Sequence, residues 1–246
     1  MIQSVAIIGA GNVGRYLFTA FKKKGIQCRL FSRQASAQVE ALSNFTGDFD
    51  LCLICIPDDS IADLSVQLPI CKGIIAHSSG TVSLDAIAEK HSLRAIFYPP
   101  MSLRPDALTP IEKITFCLEA KDSQSLAQLE EFCSHYKITS ARLNSEDRAR
   151  LHLAAVISHN FSNYLYHLSH QILKDKNLSL ELLKPLLEEQ VRQIDNRDPA
   201  ERQTGPAQRK DFATLQKHIS LLPDENSKTI YKLISNAILG DNEEKL

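Results

Sequence analysis

"VAIIGAGNVGRYLFTAFKKKG" (residues 5–25) runs from an apolar stretch through three spaced glycines into an amphipathic segment. A strand, then Gly9-x-Gly11-x-x-Gly14, then a helix is the order in which a chain turns over a bound dinucleotide. Gly9 permits the tight turn, Gly11 lets the backbone approach a pyrophosphate, and Gly14 lets the helix pack against the strand. The N–H groups of Asn12, Val13 and Gly14, at the positive end of that helix, are placed to meet phosphates. A glycine turn without a ligand is the plainer alternative; the flanking strand and helix favour the nucleotide.

The next predicted strand, "QCRLFS", decides which nucleotide. Sites for NAD end this strand on Asp or Glu, which accepts hydrogen bonds from the ribose. Here it ends "LFSRQ", so Ser32 and Arg33 stand where a carboxylate is expected. An Arg–phosphate pair and a serine hydroxyl suit a 2′-phosphate, which places NADP ahead of NAD. Arg33 on a solvated loop is the alternative. The third strand ends "ICIPDDSI" and puts Cys55, Ile56 and Pro57 at the carboxyl edge of the sheet, where open α/β folds bind ligands. "AHSSG" brings His77, Ser78 and Ser79 to the same edge, to bind substrate or to cap the next turn. "YPPMS" follows as a rigid loop over it.

Composition bounds the remaining classes. In 246 residues, 43% are hydrophobic and 23% charged, with a formal net charge of −1, which gives no electrostatic reason for nucleic acid or an anionic membrane as partner. The expectation is a cytoplasmic protein: no apolar run reaches the ~18 residues of a membrane span, and the start lacks the pattern of a secretory signal. Cys52 and Cys55 spell a C-x-x-C, but inside a predicted strand this offset points the thiols to opposite faces. They read as buried packing groups, with a redox or metal role as the alternative, and no metal is expected.

Seven strand-like runs and helical patterns at 12–24, 34–44, 59–67 and 123–136 fill the chain to about residue 143. Apolar strands alternating with helices predict a doubly wound, largely parallel sheet of Rossmann type over 1–143. From "LNSEDRAR" onward the pattern is helical, at about 145–174, 179–195, 207–219 and 224–239, which predicts an all-helical domain over 144–246. Ser145 reads as the cap of the first of these helices and Thr204 as the cap of the third. The closing "GDNEEKL" (240–246) reads as a frayed polar end.

This combination resembles the superfamily of β-hydroxyacid dehydrogenase, ketopantoate reductase, pyrroline-5-carboxylate reductase and prephenate dehydrogenase. Within it, "RLHLAAVISHNFSNYL" (150–165) and "TGPAQRKDFATLQKHISLL" (204–222) resemble a group of Rossmann-like oxidoreductases whose helical C-terminal domain has no assigned function. The resemblance implies a C-terminal domain like that of 6-phosphogluconate dehydrogenase, NAD(P)-linked redox chemistry and a homodimer. It also implies a lysine one turn before an asparagine on the first long helix, as acid or base. Asn160 matches that asparagine, but Val156 stands at the lysine position.

Other residues must then handle the proton. At about 100° per residue, His152, His159, Asn163 and His170 fall within about 20° of one common direction, broadly opposite Leu153, Ile157, Phe161, Leu165 and Leu168 on the expected core face. His152 with Asn160 reads as donor and orienter, against a plain helix face. Arg209, beside Asp211, reads as an anchor for a substrate carboxylate or phosphate, against a bracing Arg–Asp network. The expected function is hydride transfer between NADP(H) and a small carbonyl, hydroxy or imine acid. A catalytically inactive NADP(H) sensor or scaffold is the alternative.

Overall fold

A computed structural model describes residues 1–104, 109–195 and 197–240, so the predicted frayed end beyond Gly240 lies outside the described residues. The chain divides into two compact units, Met1–Ser158 and His159–Leu246. The division differs in kind from the join expected at 143/144. Strands stop after residue 142, whereas packing partners change within the long helix that follows.

In the first unit, β1 (Ser4–Ile8), β2 (Gln27–Ser32), β3 (Glu40–Ala41), β4 (Leu51–Ile54), β5 (Ile74–His77), β6 (Arg94–Tyr98), β7 (Thr115–Ala120) and β8 (Thr139–Arg142) form one sheet. Its order is β3-β2-β1-β4-β5-β6-β7-β8, parallel except between β6 and β7. The chain runs outward from β1 to β2 and β3, then returns to β4 on the other side of β1. This reversal opens a crevice at the carboxyl ends of β1 and β4.

Both faces of the sheet are buried because alternate strand residues are apolar on both sides. Val5 and Ile7 of β1 pack with Leu17 and Phe21 of α1 (Asn12–Lys23) and Leu129 and Phe132 of α3 (Ser123–His135). Ala6 and Ile8 pack on the other face with Ile61 of α2 (Ile61–Gln67), Phe31 and Phe45. Cys52 belongs to the second cluster and Cys55 to the first, so the C-x-x-C points to opposite faces. Burial pushes the Cys55 thiol up to about 12, as suits a packing group.

The segment 34–44, expected to be helical, is a Ser36–Val39 bridge, the short β3 and a 3₁₀ turn at Leu42–Asn44. An ion pair between Arg29 and Glu40, with Nε 2.6 Å from Oε1, and the burial of Val39 hold it extended beside β2. Tertiary contacts here outweigh a helical period.

Among the described residues no strand follows β8, and no helix is long and apolar enough to cross a membrane. The helices are α4 (Ser145–Ala155), a π-helical turn at Val156–Phe161, α5 (Ser162–Lys174), α6 (Lys184–Arg192), α7 (Phe212–Leu221) and α8 (Glu225–Leu239). Asn144, not Ser145, caps α4: its side chain accepts from the Asp147 N–H, while the Ser145 hydroxyl donates to Glu119. Residues 205–210 form turns, so α7 starts later than expected and is capped by Asp211, not Thr204.

Candidate functional site

The glycine turn follows from hard sterics. Gly9 has φ +116°, a region that L side chains rarely adopt, and a Cβ there would stand 2.2 Å from the Cys55 carbonyl oxygen. A Cβ on Gly14 would meet the Gly9 carbonyl at 1.9 Å, which explains the close approach of α1 to the strand end. Gly11 differs: nothing lies within 4 Å of its would-be Cβ. Packing does not require that glycine, but a ligand passing against the backbone does. α1 has no side-chain hydrogen bond at its N-cap and no acidic residue in its first turn, which suits an anion there.

A cavity of about 660 Å³ opens over this turn. Gly9, Gly11, Ser32, Arg33, Cys55, Ile56 and Pro57 line it, whereas Asn12, Val13 and Gly14, in the first turn of α1, are not among its lining residues. Leu42 and Leu64 give it apolar walls, and Arg15, whose Nε donates to the Ala10 carbonyl at 2.8 Å, gives it a second cation. Those three escape sequence reading, because 34–44 looks helical and Arg15 looks like an exposed helix residue. The donors and apolar walls suit a dinucleotide.

Beyond Pro57, the edge carries a polar network. The Asp58 carboxylate accepts from Ser79 Oγ and Thr81 Oγ1, both at 2.7 Å, and Ser79 Oγ accepts in turn from the Thr81 and Val82 N–H groups. Ser79 is thus engaged within the protein. Ser78 lies beside it, its Oγ 3.4 Å from the Ile54 carbonyl. His77 is fully buried. Its Nδ1 accepts from the Ser79 N–H, so the ring proton sits on Nε2, facing the Ser83 carbonyl at 3.3 Å. Desolvation lowers its pKa to about 4, which makes it a neutral brace for the loop.

α4 reaches this edge through Arg148. Its side chain is fully buried, pairs with Glu119 on β7 and donates to the Val82 carbonyl. One turn later, His152 Nδ1 lies 3.0 Å from the Tyr98 hydroxyl at the end of β6. Burial pushes the Tyr98 phenol up to about 12.

A family model, "Domain of unknown function (DUF2520)", matches residues 114–238. The chain belongs to this family. The match runs from β7 into α8 and contains both stretches on which the resemblance rests.

Among solved structures, a candidate NADP oxidoreductase from Bacteroides fragilis is 26% identical, with a TM-score of 0.87 over 97% of this chain and 98% of that one. A Thermotoga maritima protein is 22% identical, with a TM-score of 0.69 over 95% and 96%. A reductive aminase from Aspergillus terreus, in complex with NADPH and ethyl levulinate, is 14% identical, with a TM-score of 0.68 over 97% and 94%. At these identities the last two speak to the fold alone: a Rossmann sheet followed by helices. Among curated proteins none matches the sequence.

The DUF2520 region holds the remaining expected residues. Asn160 lies exposed in the π-helical turn, a feature common at functional sites. That wider turn breaks the 100° phase, so the four-residue polar stripe drawn with one helical period does not hold past Val156. Leu153, Ile157, Phe161 and Leu165, expected to face the core, are 37–60% exposed. Arg209 sits in the turn before α7. Asp211 is engaged as the α7 cap, accepting from Thr214 N–H at 3.1 Å and Oγ1 at 2.7 Å, with the Arg209 charge also acting on its carboxylate.

Proposed function

We propose that this DUF2520 protein is an NADP(H)-dependent oxidoreductase moving a hydride between the nicotinamide and a small carbonyl, hydroxy or imine acid. The observation that carries the reading is the cavity over the glycine turn, with Ser32 and Arg33 in its wall and no carboxylate at the strand tip. The candidate NADP oxidoreductase that matches the whole chain supports the same cofactor. When bound, the nicotinamide supplies or accepts the hydride.

The residues divide the remaining work. Backbone N–H groups from Gly11 to Gly14 hold the pyrophosphate, and Ser32 and Arg33 hold the 2′-phosphate. Cys55, Ile56 and Pro57 line the path of the cofactor, and Ser78 offers a hydroxyl at the sheet edge. His152 gives the proton to the substrate heteroatom, with Asn160 as orienter. Arg209 takes the substrate acid group. Ser79 and Asp211 serve by holding Asp58 and α7 in place.

A homodimer in the cytoplasm is part of the proposal. Within one chain, Leu182, Leu186, Val191 and Ile194 around α6 are 64–76% exposed, an apolar face that a second copy would cover.

The other reading, an NADP(H) sensor without turnover, is favoured by one observation: Val156, at the lysine position of the resemblance, cannot carry a proton. Calorimetric titration with NADPH and NADH, beside NADPH oxidation over keto acids, aldehydes and imines, separates them. Tight NADPH binding with turnover of a panel member is the expected result. Tight binding with no turnover leaves the sensor, and binding of neither nucleotide overturns both.

A further inference from the structure

Resting on the reductase reading, we infer that Tyr98 is a positioning residue for proton delivery: its hydroxyl engages His152 Nδ1 and leaves Nε2 to donate to the substrate. The two side chains come from distant parts of the chain. Tyr98 ends β6 at the carboxyl edge, and His152 lies on α4, with Tyr98 Oη and His152 Nδ1 3.0 Å apart and their ring centroids 6.1 Å apart, edge to face.

Gly80 makes room for the pair. A Cβ there would lie 2.6 Å from His152 Nδ1, 2.8 Å from His152 Cγ and 2.9 Å from Tyr98 Cζ. No positive φ calls for glycine at this position, so the absence of a side chain is a matter of space. Arg148, one turn earlier, locks α4 to β7 and to the Val82 carbonyl, fixing the height at which His152 meets Tyr98.

A hydroxyl suits a group that must change its charge. Its oxygen accepts from Nδ1–H of the imidazolium, and its O–H donates to bare Nδ1 of the neutral ring. A carboxylate would favour only the cation, and a backbone carbonyl could only accept. Because burial pushes the phenol up to about 12, Tyr98 keeps its proton at neutral pH. The ionisable groups around Tyr98 are Arg148 of α4, Asp58 after β4 and Cys117 of β7, with Glu119 of β7 and His77 of β5 in the same network.

In reduction the hydride adds to the C=O or C=N carbon, and the π electrons take the Nε2 proton onto oxygen or nitrogen. The neutral imidazole then recovers a proton from solvent.

The test compares full-length wild type with Tyr98→Phe, Gly80→Ala and His152→Asn. The activity readout is kcat and KM across pH. The second readout, which needs no turnover, is nitrogen-15 histidine NMR, with His152 identified by its loss in His152→Asn. Tyr98→Phe is expected to lower kcat by about ten- to hundredfold with KM within about twofold. The same substitution should shift the His152 ring-nitrogen signals, and Gly80→Ala should shift them as well. Unchanged His152 signals in Tyr98→Phe overturn the pairing. Shifted signals in Tyr98→Phe, beside a wild type that turns over no substrate, uphold the pair and count against the reductase reading, so the two failures are told apart.

Discussion

Arg33 carries the choice of nucleotide on one side chain. It is exposed in the wall of the cavity and forms no ion pair with a described residue. Arg33→Asp replaces a charge-assisted donor with a repelling carboxylate, so NADPH affinity should fall by about 100-fold while NADH binding holds or improves. Equal losses for both nucleotides in a calorimetric titration would remove the 2′-phosphate assignment. His77 works at the same scale with a different readout. Its folded pKa, about 4, is below the ordinary 6.5, so the unfolded chain binds the proton more readily. Stability is therefore full above about pH 6.5 and is lost as pH falls toward 4, by up to about 3 kcal/mol. His77→Asn should flatten this dependence. Urea midpoints at pH 7 and 4.5 check it, and parallel losses in wild type and variant would exclude His77 as the cause.

At the scale of elements, α4 is held to the sheet by a buried cation. Arg148 is fully buried, and Glu119 keeps 19% of its side-chain exposure. Removing one partner of a buried pair typically costs about 3–5 kcal/mol, and partial exposure of Glu119 puts Glu119→Ala near the lower figure. Denaturant unfolding measures that loss; a change below about 1 kcal/mol would mean that water already satisfies Arg148. Since α4 carries His152, the same variant should also lower kcat. The π-helical turn that follows α4 is the second element-scale feature. It puts Asn160 where i→i+5 bonding widens the helix, and no periodicity computed at 3.6 residues per turn foresees that.

For the whole molecule, the exposed apolar residues of the helical unit define what it still lacks. Leu182, in the 3₁₀ turn before α6, and Leu186 of α6 stay 69% and 67% exposed, with no core among the described residues covering them. With both changed to Glu, the mass measured by light scattering should fall from that of two chains to that of one. A wild type already monomeric at micromolar concentration would dismiss the dimer. Burial of those leucines is also the reason to expect the wild type to melt at a temperature that rises with protein concentration.

The local pattern of the chain was enough for much of this protein. Apolar alternation located seven strands, because a strand buried on both faces writes its own signature. Gly9, Gly11 and Gly14 announced the turn, because backbone sterics act between near neighbours. "LFSRQ" put Ser32 and Arg33 in the cavity wall, because position along β2 determines what stands at its tip. Tertiary structure decided the rest. Tyr98 and His152 are 54 positions apart and meet only because β6 lies at the edge that α4 crosses. Gly80 looks like an ordinary turn glycine until those two rings come to lie against it. The extended segment before Leu42 follows from Arg29 and Glu40 pairing across strands that exist only in the folded sheet. Nearest-neighbour chemistry sets elements and turns; the partners of a buried or catalytic group are set by which elements become adjacent.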